Sequence, residues 1–376
     1  MTSQTRVVWI TNLAPPYRRP VWDAIARTAN LQVWLLENGR KLLKDTSNRG
    51  SDWVPDVESK YKIRELPTFR IKRGEARHYV TWWFPSRALR SADAVVIGGW
   101  DSPAYWAASF AAKRGGVRRV GFYESHTLSR THTRGLIHRL RIRFFQGMDA
   151  IVVPGIAARN ALLADGIDPE KIWVGFNSVD GLEIARKTEA YRSQPISPSP
   201  LRLLYVGQLI VRKNVASVLE GMKLASAIPL TLTVVGTGPD LSKLKALAAE
   251  LNIADRVLFV GYVANADLPE LYAKHDVLVM PSTEEVWGLV VNEALAGGLL
   301  SIVSAVAGVA PSVVGMKGVY VVVPEPEGIA LAFHQVMRDF KGPIHQPEIL
   351  AKTPEAFGQV FMNALGMATV LTNSSS

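Results

Sequence analysis

Short runs of consecutive apolar residues recur along this chain and alternate with stretches of helical period. Val7–Ile10, Leu31–Leu36, Ala94–Ile97, Val120–Tyr123 and Ala150–Val153 are near-continuous apolar runs, which predicts strands buried on both faces. Val21–Thr28, Pro103–Arg114 and Leu136–Phe145 fall between them and predict helices. The alternation breaks at Thr188–Ser199, a polar stretch with two prolines that is expected to be a linker. It restarts with strand-like runs at Leu203–Val206, Leu230–Val235, Val257–Val260, Val277–Met280, Leu300–Val303 and Val319–Val323. Val215–Leu224, Leu241–Leu251 and Leu268–Lys274 separate them as helices. The predicted fold class is α/β: two doubly wound Rossmann-like domains facing a central cleft. The expected boundaries are residues 1–185, a linker at 186–200, a second domain at 201–352, and an amphipathic C-terminal helical segment at 353–376.

The bulk numbers agree with two domains, because 376 residues exceed one ordinary core. With 48% hydrophobic and 20% charged residues, the chain is expected to be soluble and globular. It has no cysteine, which excludes disulfides and thiolate metal sites and suits a reducing compartment. A cytoplasmic location is expected, since Met1–Arg6 leads straight into a strand-like run without a signal-peptide pattern. Ala294–Met316 carries no charge and is long enough to cross a bilayer, but it holds four glycines, three serines and Pro311. A buried strand with its turns is the expected structure there.

Charge is divided unequally. Residues 1–185 hold 28 Lys+Arg against 17 Asp+Glu, a surplus of 11, whereas the remainder holds 15 against 16. A basic first half predicts an anionic partner. Nine Lys+Arg lie in Lys113–Arg143 with Glu124 as the single acid. A second basic stretch, Lys60–Arg90, contains Tyr79-Val-Thr-Trp-Trp-Phe84. Rings beside cations suit peripheral contact with an anionic membrane; a helix with two core tryptophans is the plainer alternative. No nucleic-acid partner is expected, because no recognised module accompanies the charge.

The candidate chemistry lies at strand ends. Gly207 follows the first strand of the second domain, where a glycine lets backbone amides approach a phosphate. Arg212 and Lys213, just beyond, could give full charges to a diphosphate. Gly236 and Gly238 form a Gly-x-Gly at another strand-to-helix junction, without the third glycine of a dinucleotide fingerprint. Pro281-Ser-Thr-Glu-Glu285-Val-Trp-Gly288-Leu-Val-Val-Asn-Glu293-Ala-Leu-Ala-Gly-Gly298 places two carboxylates eight positions apart. Glu285 falls after the apolar run and Glu293 on the following helix, so both can face one cleft. A carboxylate accepts two hydrogen bonds from a vicinal diol, such as a sugar or a ribose presents. In the first domain, Asn12-Leu-Ala-Pro-Pro-Tyr17-Arg18-Arg19 fills the first loop, Glu124-Ser-His126 follows a strand, and Phe176-Asn177-Ser-Val-Asp180 ends the domain.

Taken together, the segment Gly207 to Gly298 resembles the donor site of retaining nucleotide-sugar glycosyltransferases of family 4. The resemblance is specific across residues 203–305 and looser in the first domain. It implies the GT-B architecture, with an acceptor-binding first domain, a donor-binding second domain, and a final helix that crosses back to the first. It implies an enzyme that moves a hexose-like sugar from a nucleoside-diphosphate sugar to an acceptor hydroxyl, with retention and without a required metal or cofactor. Polysaccharide or glycolipid assembly is the expected setting. The implied acceptor is a carbohydrate, a lipid-linked molecule or a small molecule. By the same resemblance, Glu285 and His126 are the catalytic-site residues: Glu285 contacts the donor sugar's hydroxyls and His126 lies beside its C6 hydroxyl. Glu293 contacts the ribose. Lys213, Arg212 and the backbone of Gly207, Trp287, Gly288 and Leu289 bind the diphosphate or sugar, and Gly236, Gly238 and Val263 border the base. Tyr17, Arg18, Glu124 and Asn177 belong to the acceptor side or the cleft.

Three departures accompany the resemblance. Gln208 stands where the family has arginine, Ser178 where it has glycine, and the first loop lacks a glycine pair. A nucleotide-sugar epimerase of related fold and a noncatalytic sugar-nucleotide-binding subunit are the alternatives left open.

Overall fold

The computed structural model describes residues 4–37, 59–73, 76–130, 132–192 and 200–367. It divides into two compact units, one of residues 1–177 with 354–376, the other of residues 178–353.

The first domain is built on the strands β1 (Arg6–Thr11), β2 (Asn30–Leu35), β3 (Lys62–Glu65), β6 (Ala94–Ile97), β7 (Arg118–Phe122), β8 (Ala150–Val153) and β9 (Ile172–Val174). They pair in parallel in the order β3-β2-β1-β6-β7-β8-β9. The central strands are apolar on both faces because helices cover both, which is why they read as uninterrupted runs. The order reverses at β1, whose neighbours are β2 and β6. Ligands in such sheets gather beyond the carboxyl ends of the strands flanking this reversal.

The apolar pattern does not predict four strands of this domain. β3 and β9 are short, half-exposed edge strands: β3 is the mixed Lys-Ile-Arg-Glu, and β9 is an apolar run of only three residues, Ile-Trp-Val. The other difference is β4 (Thr68–Arg73) with β5 (Ala76–Thr81), an antiparallel hairpin apart from the main sheet. The stretch Tyr79–Phe84 is therefore not a helix with two core tryptophans. Tyr79 is buried, with its hydroxyl donating to Glu37 at 2.7 Å, while Trp82 and Trp83 are 61% and 55% exposed. Glu37, buried just past β2, also takes ion pairs from Arg70 (2.7 Å) and Arg77 (3.3 Å), which fastens the hairpin to the sheet.

The last helix, Pro354–Ala364, is part of the first domain. Gly358 allows close approach to the helix Arg19–Ala26: a Cβ there would stand 3.1 Å from that of Ala24. Phe357 and Phe361 join Trp9, Trp22 and Phe122 in one aromatic cluster, with Trp9 and Phe361 at 4.5 Å and Phe122 and Phe361 at 5.4 Å between ring centres. Arg118 seals the end of the helix by donating from Nε to the Ala364 carbonyl at 2.8 Å.

The second domain holds β10 (Leu201–Val206), β11 (Leu230–Val235), β12 (Val257–Gly261), β13 (Val277–Met280), β14 (Leu300–Ser304) and β15 (Val319–Val322), all parallel, in the order β12-β11-β10-β13-β14-β15. The reversal here is at β10, between β11 and β13. Its core packs Val218, Met222, Ile329 and Phe333 from two helices against Leu203, Val234 and Ile302 of the sheet. The uncharged segment Ala294–Met316 is a helix end, the buried strand β14 and the short helix Ala310–Val313. Among the described residues no helix is long and apolar enough to cross a membrane.

The division between domains differs from the expected one. Residues 181–191 form a helix, Gly181–Tyr191, within the second unit, so the first domain ends at Asn177 rather than 185 and the segment from 186 to 191 is not linker. The polar look of Thr188–Tyr191 comes from a helix with one buried face. Thr188 is fully buried, and the helix packs on Leu268–Lys274 and Leu289–Ala296. Asp180 starts it by accepting from the Glu183 amide at 3.0 Å, an N-cap. Residues 193–199, the rest of the expected linker, lie outside the described set.

Candidate functional site

In the second domain the polar site lies past the carboxyl ends of β10 and β13, the two strands that flank the reversal. After β10, Gly207 runs into a one-turn 3-10 helix, Val211–Lys213. The turn ends at Asn214, whose φ of 55° is left-handed, a conformation asparagine tolerates better than most residues. Asn214 is held there because its Nδ2 donates to the carbonyls of Pro281 (3.2 Å) and Pro324 (2.7 Å). The turn is thereby aimed so that Lys213 Nζ donates to Glu285 Oε2 across the reversal. Both side chains of this ion pair are mostly buried, where charges are screened less and cost more if left alone.

Glu285 is also fixed through its backbone. Its carbonyl accepts from the Gly308 amide at 3.0 Å, within a single parallel bridge to Ala307. The Trp287 carbonyl accepts from Val309 at 3.1 Å, and the Thr283 amide donates to Arg212 at 2.9 Å. The loop 281–287 is thus stitched to the loops after β10 and β14. The Arg212 guanidinium reaches the Glu284 carbonyl at 3.5 Å. Gln208 contributes its carbonyl, which accepts from the buried Tyr205 hydroxyl at 2.8 Å.

Gly288 has a φ of +102°, and a Cβ on it would run into Met280. It caps the helix Leu289–Ala296, whose first amides carry partial positive charge. Glu293 lies on this helix and accepts from the Tyr272 hydroxyl at 2.7 Å. Although its side chain keeps some contact with solvent, burial around the carboxyl pushes it up to about 7, and the Tyr272 hydrogen bond only partly opposes that. Tyr272 itself is buried and pushed well above the ordinary tyrosine range by burial first and the nearby Glu293 charge second.

Gly236 and Gly238 have a packing reason that the sequence did not reveal. A Cβ on Gly236, at φ +132°, would fall inside the Gly207 carbonyl, and one on Gly238 would fall against the Leu209 carbonyl. The Gly236 amide donates to Gly261 at 2.7 Å, while Leu209 donates to Thr237 and Asp240 to Leu209. Backbone therefore lies on backbone across the ends of β10, β11 and β12. Val263 follows β12 in a half-exposed loop.

The first domain places its polar residues differently. Arg18 closes a 3-10 turn, Pro16–Arg18, with its side chain 4% exposed. Its Nη2 donates to Glu124 Oε1 at 2.9 Å, and its guanidinium lies over the Phe122 ring at 4.6 Å. Tyr17, Arg18 and Glu124 line one cavity of about 240 Å³ with Trp9, Thr11, Asn12, Trp22, Gly98 and Phe122. His126 is buried beyond Glu124 at the start of another 3-10 turn, where its amide donates to Ser129 Oγ at 2.9 Å. Asn177 is buried, and its amide donates to Pro154 at 3.0 Å.

Much of the basic run Lys113–Arg143 is spent internally. Arg130 and Arg141 both pair with the buried Asp165 (2.5 and 3.5 Å), Arg119 pairs with Asp149, and Arg118 holds the last helix.

Residues that the motif reading missed are Tyr205, Asn214, Tyr272, Trp9 and Trp22. Asn214 had a signal, an asparagine between a basic turn and a helix. The others are core aromatics whose polar ends or ring edges become visible only in three dimensions.

Comparison with known proteins finds similarity to glycosyltransferases. Residues 187–348 match the family model Glycosyl transferases group 1. The chain is 28% identical over 179 residues to an uncharacterised glycosyltransferase of Methanocaldococcus jannaschii, covering 46% of each. It is 32% identical over 155 residues to the N-acetyl-alpha-D-glucosaminyl L-malate synthase of Bacillus anthracis, covering 40% of each. The matched stretch thus spans about half the length of these relatives, or less. Over 96% of the chain, the fold is similar to an Anabaena protein, HepE, solved with UDP (TM-score 0.66, 16% identity, 95% of that chain). It is similar over the same share to the lipopolysaccharide outer core galactosyltransferase WaaB (TM-score 0.70, 16% identity, 99% of that chain). The fold is that of the GT-B glycosyltransferases, with two Rossmann-like domains.

Proposed function

We propose that this chain, whose residues 187–348 carry a group 1 glycosyl transferase domain, is a retaining hexosyltransferase. The donor is a nucleoside-diphosphate sugar bound by the second domain, and the acceptor hydroxyl is presented by the first. The observation that carries the reading is the Lys213–Glu285 pair across the reversal of the second sheet, with Glu293 on the adjoining helix.

In the proposed reaction the bond from the sugar's C1 to the β-phosphate oxygen breaks and a bond from C1 to the acceptor oxygen forms. The acceptor's proton passes to the departing diphosphate. Lys213 and the amides at the start of Leu289–Ala296 stabilise the negative charge that grows on the leaving group. Arg212, at the outer edge of the same turn, adds a second cation, so the site supplies its own positive charge and no metal is required of it. Glu285 grips the donor sugar's hydroxyls and Glu293 the ribose, as charge-assisted acceptors. No carboxylate is assigned as a covalent nucleophile; departure and attack occur on the same face. His126 serves the transfer step from the first domain, and Tyr17, Arg18, Glu124 and Asn177 serve the acceptor side.

The test is a thermal-shift series with UDP-, GDP-, ADP- and dTDP-glucose in the presence of EDTA, followed by NMR of the product's anomeric configuration. A bound donor raises the melting temperature by mass action. The reading requires a shift with at least one donor, its loss in Glu285→Ala, and a product that keeps the donor's anomeric configuration. Sugar released as an epimer without any acceptor would replace it with the epimerase reading.

Peripheral contact with an anionic membrane is part of the same proposal. Phe69, Ile71, Trp82 and Trp83 are exposed on and beside the β4–β5 hairpin, and the Phe69 and Trp82 rings touch at 4.6 Å between centres. Arg64 stands by Trp83 at 5.8 Å. Rings at head-group depth beside cations favour anionic lipid. Co-sedimentation with phosphatidylglycerol vesicles, and not with phosphatidylcholine vesicles, is the expected result.

A further inference from the structure

The ion pairs of Asp165 lie directly behind the turn that carries His126. At the end of β7, Tyr123 is tied to the neighbouring strand, its amide donating to the Val152 carbonyl at 3.1 Å. The chain then runs to His126 and a single 3-10 turn, Thr127–Ser129. That turn closes on itself. The His126 amide donates to Ser129 Oγ at 2.9 Å, and the Ser129 amide donates to the His126 carbonyl at 3.0 Å. Arg130 is where the chain leaves the turn, and its guanidinium donates to Asp165 at 2.5 Å. Asp165 stands at the C-terminal end of the helix Ile156–Ala164, 35 residues further on. His126 is therefore slung between two fixed points, a strand on one side and an ion pair on the other.

The ion pair has the features of a fastening. The side chains of Arg130 and Asp165 are each 5% exposed, and that of Arg141 is 3% exposed. Taking charges out of water costs about as much as their attraction returns, so apolar residues of similar size could hold these elements together as firmly. They would lack direction, which a planar guanidinium fork supplies. Arg141, on the helix Gly135–Gln146, approaches Asp165 from a second side at 3.5 Å. It also donates to the His132 carbonyl at 3.0 Å and lies 2.7 Å from His138 Nδ1. A guanidinium only donates, so that nitrogen accepts. Asp165 thus gathers the exit of the His126 turn, the helix that follows it and the end of Ile156–Ala164. The entrance meets the same cluster: burial pushes the Tyr123 hydroxyl up, and the nearby Arg130 and Arg141 charges oppose that.

We infer that Asp165 and Arg130 are positioning residues for His126, setting where its ring stands without touching substrate themselves. Their effect on turnover rests on the transferase reading above; their hold on the ring does not.

Two measurements on the full chain test it. The first is NMR of the protein labelled at the histidine ring carbons, with the His126 signal identified by its loss in His126→Gln. Asp165→Asn keeps the shape and removes the charge, and it should shift or broaden the His126 signal. Arg130→Lys keeps the cation and loses the fork, and it should move the signal the same way by less; it carries the test if Asp165→Asn does not fold. Asp149→Asn, which breaks the pairing with Arg119 at the amino ends of β7 and β8, should leave the signal in place. The second measurement is initial rates. Asp165→Asn should lower kcat by about ten- to a hundredfold, as misplacement of a group by about 1 Å does, with the donor KM within about twofold of wild type. In a His126→Ala background the same substitution should lower kcat no further. The inference is overturned if the His126 signal is unmoved in Asp165→Asn and Arg130→Lys, if Asp149→Asn moves it equally, or if the kcat losses of Asp165→Asn and His126→Ala multiply. A moved signal with a His126→Ala protein of unchanged kcat would instead remove His126 from the transfer step and leave the fastening standing.

Discussion

The two domains share one architecture and build their polar sites in opposite ways. Both are parallel sheets with a strand-order reversal, at β1 in one and β10 in the other. In the second domain the site is made of backbone: glycines without side chains let the loops after β10 and β11 lie against each other, and short hydrogen bonds tie the loops after β10, β13 and β14. Its charged side chains, Lys213 and Glu285, are seated on that stitched frame. In the first domain the loop after β1 carries prolines instead of glycines, and the site is made of side chains. Arg18 leans on Phe122, and Trp9 and Trp22 form the wall. A backbone-built site has little freedom in sequence, because only glycine fits. A site built from side chains on a packed aromatic floor can change its ligand by changing a few residues. Under the proposed function, that contrast suits a fixed donor and a variable acceptor.

The largest blow to the comparison would come from the floor. Phe361→Ala is expected to cost about 3–5 kcal/mol, the usual range for a deleted core phenylalanine. The cost should fall on the first domain alone. Nine of the ten tryptophans lie within residues 1–177, so indole fluorescence follows that domain while far-UV circular dichroism follows both. Urea unfolding should show the fluorescence transition moving ahead of the second half of the dichroism change. Coincident transitions at a lowered midpoint would mean that the two domains unfold as one.

Next in size, Lys213→Ala should lower transfer by about a hundred- to a thousand-fold, as loss of a charge-stabilising donor does. It should leave the fluorescence-detected transition in place. Initial rates at saturating donor measure this; a change in KM alone would make Lys213 a binding group only.

Glu293 gives a smaller effect with a definite sign. Its carboxyl is raised from 4.5 to about 7 by burial. Below 4.5 the folded and unfolded chains both hold the proton. Between 4.5 and 7 the folded chain alone holds it, so this group's contribution to stability declines as pH rises through about 7. Gripping a ribose diol favours the carboxylate, so donor affinity should climb with pH below 7, by at most about tenfold per unit, and level off above it. Calorimetry in buffers of different ionisation enthalpy should detect proton release on donor binding. A Glu293→Gln protein that keeps the same pH profile would rule Glu293 out as its source.

The smallest effect on the molecule itself is at the hairpin. Trp82→Ala with Trp83→Ala should change stability by no more than about 0.5 kcal/mol each, as exposed positions do. The pair should nevertheless abolish co-sedimentation with anionic vesicles. Retained sedimentation would direct attention to the exposed Leu136, Ile137 and Leu140 of the helix Gly135–Gln146.

How legible the chain was follows the same division. Eleven apolar runs predicted strands, and each of them is a strand of one of the two sheets, because a strand covered on both faces must be apolar throughout. β3 and the hairpin stay hidden because they carry mixed residues, and β9 because three apolar residues are too few to mark a strand. The helix Gly181–Tyr191 reads partly as linker in the sequence, since only one of its faces is buried. Glu285, Lys213 and Glu293 could be singled out because their motif is contiguous and lies on adjacent strand ends. The cavity of Arg18 and Trp22 could not, since it joins loops more than a hundred residues apart and uses residues that read as ordinary core.

One consequence of the returning helix Pro354–Ala364 concerns the order in which the protein is made. The first domain starts the described chain, yet its aromatic floor is incomplete until Phe361 has emerged. The intervening unit, residues 178–353, is continuous and can fold first. At roughly 5–20 residues per second of synthesis, the opening half waits on the order of ten to thirty seconds with Trp9, Trp22 and Phe122 uncovered on one side. During that interval it exposes apolar surface of the kind that is prone to aggregate, and the second domain, although later in the sequence, can be the first to be finished.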